Sequence, residues 1–189
     1  MIISKIPRLF IFAQAAAAGL CIAFSASLAQ AAELPATLQA KVGKYQKQLV
    51  EWAANPLMVS ATREANAKGG VLPGMTNAKW NDLEDKDPAV LSTLNSPVGQ
   101  QIRKWEEDKN LNKLFLRDQK ANLIAGSSKT LLFNNASRPA AINALKGQAW
   151  SDTEIKPDPT TQIKSVQVSA PVLDAGRAIG ILHGSVTAE

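Results

Sequence analysis

Two runs in the last third of the chain decide its fold. The first is Leu111-Asn-Lys-Leu-Phe-Leu-Arg-Asp118, then a turn over 119–121, then Asn122-Leu-Ile-Ala-Gly-Ser-Ser128. The second is Gln162-Ile-Lys-Ser-Val-Gln-Val-Ser-Ala-Pro-Val172, then a turn over 174–176, then a run from Arg177 to Val186. Apolar and polar residues roughly alternate in both, and Asp, Asn, Pro and Gly bound them, which is the pattern of half-buried strands. Each reads as a β-hairpin. Everything before them reads as helix packed on one face of the sheet. The expected class is α+β: an antiparallel, five-stranded sheet with a long N-terminal helix and a helical middle segment packed on it.

Between the hairpins, Arg138-Pro139 starts a helix through Ala140, Ile142 and Leu145, with Gly147 as its C-cap. Trp150 is placed on a middle strand, and Lys156-Pro-Asp-Pro159 is a turn. Pro171 has no N–H for a ladder, so it belongs at an edge, a bulge or a strand end. Toward the N-terminus, Leu38, Val42, Tyr45, Leu49 and Trp52 recur at helical spacing, while Gln39, Lys41, Lys44, Lys47 and Glu51 point elsewhere. This predicts a helix over 35–54. Asn55-Pro56 has the cap-then-proline form that starts the next helix, which carries Val59, Thr62 and Ala65 and ends near Gly69-Gly70. Three short helices come next: one with Trp80 and Leu83, one opened by Asp87-Pro88, and one opened by Ser96-Pro97 that carries Val98, Ile102 and Trp105.

Residues 1–31 read as an export signal. Lys5 and Arg8 precede an apolar run from 9 to 28, and Ala29-Gln30-Ala31 has the small-x-small form of a cleavage site. Cleavage before Ala32 leaves a single domain over 32–189 in the periplasm or secreted. The rival is an uncut membrane anchor, since the run approaches the ~20 residues needed to span. Cys21 follows Leu20 rather than a small residue, which argues against lipid attachment. The mature chain then holds no cysteine, which excludes disulfides, thiol catalysis and thiolate metal sites. Loss of Lys5 and Arg8 takes the formal net charge from +5 to +3. With 5% aromatic and 20% charged residues and no basic run, nothing points to nucleic acid.

The order of elements resembles the extracellular sensor modules called Cache domains (PAS-like, also called PDC sensors). The stretch from Leu114 to Asp118 and from Asn122 to Ala125 is similar to that family's first hairpin, and Ser127-Ser-Lys-Thr130 is similar to the segment after that hairpin. The segment from Val166 to Val172 with Asp174, Gly176 and Ala178-Ile-Gly180 is similar to its last hairpin. Asn55-Pro56, Asn66 and Trp80 fall where the family has an Asn-Pro, an Asn and a helical Trp. The chain departs at Ala121, where the family has a turn glycine, and over 131–137, which lacks the family's acidic residues and so puts any ligand recognised through them in doubt.

The resemblance implies a small-molecule pocket between the sheet and the middle segment. Such a pocket needs aromatic walls and a few orienting polar groups. The candidates are Trp80, Trp105, Phe115, Ser127, Thr130, Trp150, Asp152, Asp158 and Ser169. Asp152 or Asp158 suits a cationic amine, and Lys129 or Arg117 a carboxylate. Against this, tryptophans at helical spacing are more often core than cage, and an Asp between prolines often caps a turn. His183 is the only histidine. No Gly-x-Ser-x-Gly elbow, second His or Cys accompanies it, so no catalytic or metal role is assigned to it. Glu106-Glu-Asp108 lacks calcium-loop spacing, and Gly69-Gly70 lacks the phosphate-loop lysine.

The reading is an exported, stand-alone sensor domain that binds an amine, amino acid or carboxylate without catalysis and needs no cofactor. No second membrane segment or output domain is read, so a membrane signalling protein is the expected partner. The helix over 35–54 offers a surface for that partner or for a homodimer, unless its stripe is used on its own sheet. The alternative is an interaction module of the same fold with a closed pocket. A secreted hydrolase is disfavoured by the lone histidine.

Overall fold

The computed structural model describes residues 33–189. The expected signal segment lies outside the described residues. Among the described residues, no helix is long and apolar enough to cross a membrane.

Four of the six helices begin at a side-chain cap. Helix α1 spans Ala36–Ala53 and buries Leu38, Val42, Tyr45, Leu49 and Ala53. Helix α2, Pro56–Lys68, opens with the Asn55 side chain accepting from the Leu57 N–H at 2.9 Å, and closes at Gly69 with a φ of 74°. Helices α3 (Asn77–Asn81), α4 (Pro88–Asn95) and α5 (Pro97–Glu106) are capped by Thr76, Asp87 and Ser96. Each cap satisfies an N–H that the first helical turn leaves without a partner.

Six antiparallel strands form one sheet. They are β1 (Leu111–Asp118), β2 (Leu123–Gly126), β3 (Trp150–Ser151), β4 (Lys156–Pro157), β5 (Lys164–Asp174) and β6 (Arg177–Thr187), with helix α6 (Pro139–Leu145) between β2 and β3. The order is β2-β1-β6-β5-β3, and β4 also pairs with β5. Both expected hairpins are present, joined through β1 and β6 at the centre. Five strands make up the main path, and β4 adds a two-residue sixth beside β3. Trp150 is not on a middle strand: β3 closes the sheet at its edge. Since β3 reaches only to Ser169, β5 is an edge strand at Pro171, where a missing N–H leaves no ladder bond unmade.

The two hairpin turns use side chains and left-handed backbone differently. In the first, the Asp118 carboxylate accepts from the Lys120 and Asn122 N–H groups at 2.8 and 2.9 Å. Ala121 takes a φ of 62°, so it adopts the conformation a turn glycine would supply, at roughly 1–2 kcal/mol of steric cost. In the second, Ala175 and Gly176 have φ values of 48° and 79°, the paired positive angles of a tight two-residue hairpin loop.

Alternation divides the sheet's side chains between two faces. Leu114 and Leu116 of β1, Val166, Val168, Ala170 and Val172 of β5, and Leu182 and Val186 of β6 meet α1, α2 and α5 in the main apolar core. Full burial of each such side chain contributes about 1.5–3 kcal/mol. The stripe of α1 is spent here, on its own sheet. Trp52 leaves the stripe and stacks on Trp105 at 4.7 Å. Gly180 lets α2 lie directly on β6: a Cβ there would sit 2.4 Å from Thr62 Cγ2 and 2.5 Å from the Arg117 carbonyl oxygen.

The opposite face is also covered, which corrects the expectation of helices on one face only. Trp80 and Val90 reach around the β2 edge to pack with Phe115, Leu123 and Phe133. Helix α6 packs Ala141 and Ala144 against Ile181 and Ala121. Because both faces are covered, all eight residues of β1 are buried.

Candidate functional site

The second face is not filled throughout. Lys113, Phe115 and Arg117 of β1, His183 of β6 and Gln167 of β5 form the floor of a cavity of about 540 Å³. Its walls come from Thr130, Leu131 and Leu132, from Asn135, Arg138, Pro139 and Ala140, from Trp150 and Asp152, and from 156–159. The register explains the floor: Phe115 lies opposite His183, and Ser169 lies opposite His183 on the other side. Lys113 joins it through a bulge, with a φ of 62° and a register shift between Asn112 and Leu114.

Arg117 is 1% exposed and organises the floor. Its Nε–H donates to His183 Nε2 at 2.7 Å. Its Nη1 donates to the carbonyls of Phe133 (2.7 Å) and Ala121 (3.2 Å), and its Nη2 to the carbonyl of Leu132 (2.9 Å) and to Thr130 Oγ1 (3.5 Å). Every partner is neutral. Burial pushes the guanidinium pKa down to about 9, with the Asp118 charge working the other way, so it stays cationic at neutral pH. The same bond fixes the histidine: because Nε2 accepts, neutral His183 carries its proton on Nδ1. Burial, and then the Arg117 charge, hold its pKa well below the ordinary value. The ring tilts against Phe115 at 5.3 Å. With Nε2 occupied by a cationic donor, His183 is a wall group and has no acid partner.

Asn135 completes this group. It is 6% exposed, its Nδ2 lies 3.5 Å from His183 Nε2, and its Oδ1 is buried without a hydrogen-bond partner. A buried carbonyl oxygen without a donor costs about 1–3 kcal/mol.

The structure brings together five of the nine candidates, Phe115, Thr130, Trp150, Asp152 and Asp158, with Arg117 beside them. Four lie elsewhere. Trp80 is fully buried, donates its indole N–H to the Thr130 carbonyl at 2.7 Å and packs on Phe133, so it supports the wall from behind. Trp105 is on the α1 face, stacked with Trp52. Ser127 Oγ bonds both the N–H and the carbonyl of Leu114 and pins β2 to β1. Ser169 Oγ–H donates to the Ala140 carbonyl at 2.9 Å and ties α6 to the sheet. Lys129 is drawn away to the Leu83 carbonyl and Asp85.

The two carboxylates are engaged. Asp152 accepts from the Thr153 N–H at 2.8 Å and from Lys156 Nζ at 3.0 Å. Asp158 Oδ1 accepts from the N–H groups of Thr160 and Thr161 at 2.9 and 2.8 Å, from both their hydroxyls, and lies 3.2 Å from Lys113 Nζ. Partial burial raises the Asp158 pKa, but the Thr161 and Thr160 bonds and Lys113 outweigh it and hold the group well below the usual carboxylate range. Lys113, Asn135, Arg138, Lys156 and Gln167 also line the cavity, although no motif in the sequence marks them as site residues. Among the described residues, no cluster of three His, Cys, Asp or Glu side chains is placed to hold a metal.

Fold and site together define an α+β domain with a polar, sheet-floored cavity. Solved structures of similar outline include sensor domains. The sensor domain of the V. cholerae histidine kinase DctB shares 21% identity over 80% of this chain and 57% of that one, with a TM-score of 0.42. The sensory domain of the Campylobacter jejuni chemoreceptor Tlp3, with isoleucine bound, shares 13% identity over 81% of this chain and 63% of that one, with a TM-score of 0.41. The chain therefore spans less than two thirds of these domains. A type II free methionine-R-sulfoxide reductase from Thermoplasma acidophilum matches 46% of the chain at 16% identity, with a TM-score of 0.35. No family model and no curated protein sequence matches the chain. Likeness of this extent does not say what the chain binds.

Proposed function

We propose that residues 32–189 are a binding domain that takes a small polar molecule in the cavity over β1 and β6, non-covalently and without turnover. The observation that carries this reading is the cavity of about 540 Å³ left open on this face, floored by Arg117 bonded to His183 and lined by Lys113, Asn135, Arg138 and Lys156. A sheet face that leaves a polar-lined space, where the α1 face is filled, suits a small polar ligand. The module is exported after removal of 1–31 and reports occupancy to a membrane signalling protein. N-terminal sequencing of exported protein, with Ala32 as the expected first residue, tests the first of these.

The binding claim is tested with two readouts on the same samples. A thermal-shift screen covers amino acids, amines, small carboxylates and purines. The imidazole NMR signals of the single histidine, which lies on the cavity floor, report occupancy directly. A ligand at one hundred times its dissociation constant stabilises the folded state by about 2.7 kcal/mol, several degrees for a domain of this size. The expected result is a shift from at least one class with movement of the His183 signals, both lost in Asn135→Leu. That variant removes an unpaired buried acceptor, so it is expected to be no less stable than the wild-type protein. A flat screen with stationary His183 signals would overturn the reading.

A further inference from the structure

The charges around the cavity do not balance, and the imbalance selects a ligand class. Four cations line it, Lys113, Arg117, Arg138 and Lys156, against two carboxylates, Asp152 and Asp158. Each carboxylate is already paired with one of the lysines and folded back onto its own turn. An ammonium ligand would have to displace a lysine to reach either. The two arginines are left. Arg117 contacts only neutral acceptors. The nearest other anion, Asp118, is its neighbour along β1, is held by the Lys120 and Asn122 N–H groups and does not line the cavity. Arg138 has no ion pair or side-chain hydrogen bond among the described residues. It lies in one turn with Asn135, its N–H donating to the Asn135 carbonyl at 2.8 Å.

Resting on the binding reading above, we infer that the ligand is a small organic anion. Its carboxylate lies against the Arg138 guanidinium, within the field of Arg117. The cavity discriminates against amines because its two acids are consumed by its two lysines. Arg117 acts by charge and by shaping the floor, since its donors are filled, and Arg138 supplies the open fork that a carboxylate matches.

The test compares matched sets of compounds on the full chain: small carboxylates, the corresponding amides, and the corresponding amines. Binding is monitored by the His183 imidazole signals and by titration calorimetry. Carboxylates are expected to bind best, amides and amines at least tenfold more weakly, with affinity falling as salt is raised. Arg138→Gln weakens the best carboxylate about tenfold or more, and Arg138→Lys less. Lys47→Gln, which removes the same charge from the far side of the molecule, changes nothing. If amides or amines bind as well as the acids, the anion inference is overturned while the binding reading stands. If no compound of any set moves the His183 signals, the binding reading fails with it.

Discussion

The two faces of the sheet are made by the same strands and solve burial in opposite ways. On the α1 face, β5 presents Val166, Val168, Ala170 and Val172, and the helices fill the space with Leu38, Val42 and Leu49. One residue along in each case, β5 turns Gln167 and Ser169 to the other face, and β1 turns Phe115 and Arg117 there. The first face is held by apolar area, which tolerates no void. The second is held partly by the apolar packing of Trp80, Phe133 and α6 and partly by directional bonds to Arg117, which keep a wall in place beside open space. On the proposed reading, the α1 face carries stability and the other face binding.

Substitutions should separate the faces. Leu49→Ala, fully buried in the α1 core, is expected to cost about 2–5 kcal/mol in urea unfolding, with ligand affinity unchanged in the folded fraction. An equal loss of affinity would show that the faces are not independent. Arg117→Lys keeps the charge but loses the fork that serves three carbonyls and His183. It should cost about 1–3 kcal/mol by leaving buried acceptors unpaired, and should also weaken binding. A stable variant with unchanged binding would mean that the cavity wall does not depend on Arg117.

The smallest effect is on pH dependence. The pKa of His183 is depressed in the folded state, so below the ordinary value of 6.5 the unfolded chain binds a proton that the native protein does not. Its contribution is fully present above pH 6.5 and is lost as pH falls, at about 1.4 kcal/mol per pH unit at the steepest. Unfolding free energies between pH 7 and 5 should show this slope, and His183→Gln should flatten it. A wild-type curve already flat over that range would place the imidazole in a wetter setting than the cavity floor.

The filled face is legible in the sequence because a filled face is periodic. The α1 stripe, the alternation of β5 and the Asn55, Asp87 and Ser96 caps each leave a local pattern that packing then uses. The other face depends on features with no such pattern. Strands β3 and β4 are two residues long, too short to show a period, so sequence alone puts Trp150 inside the sheet rather than at its edge. The left-handed bulge at Lys113, which brings a lysine to the floor, has no signature in a Lys. Some signals are present. Arg117 sits two residues from Phe115 in an alternating run, which marks a cation on an inward face, and His183 keeps step with Ile181. The Pro-Asp-Pro-Thr-Thr sequence around Asp158 marks a turn acid, and the structure uses it as one. Trp80 and Trp105 are on the wrong side of, or behind, the wall because helical spacing fixes a face and not the layer it meets.

The place of β6 between β1 and β5 also sets how the chain can fold. Each hairpin closes locally, but β1 meets β6 through pairs such as Leu111 with Val186, which are far apart in sequence. Docking the hairpins is therefore the high-contact-order event, expected to come late and to limit the rate. Until the last strand is available, β1 lacks its inner neighbour and β5 its hairpin partner. A chain short of its final strand should hold only the first hairpin and no cavity floor.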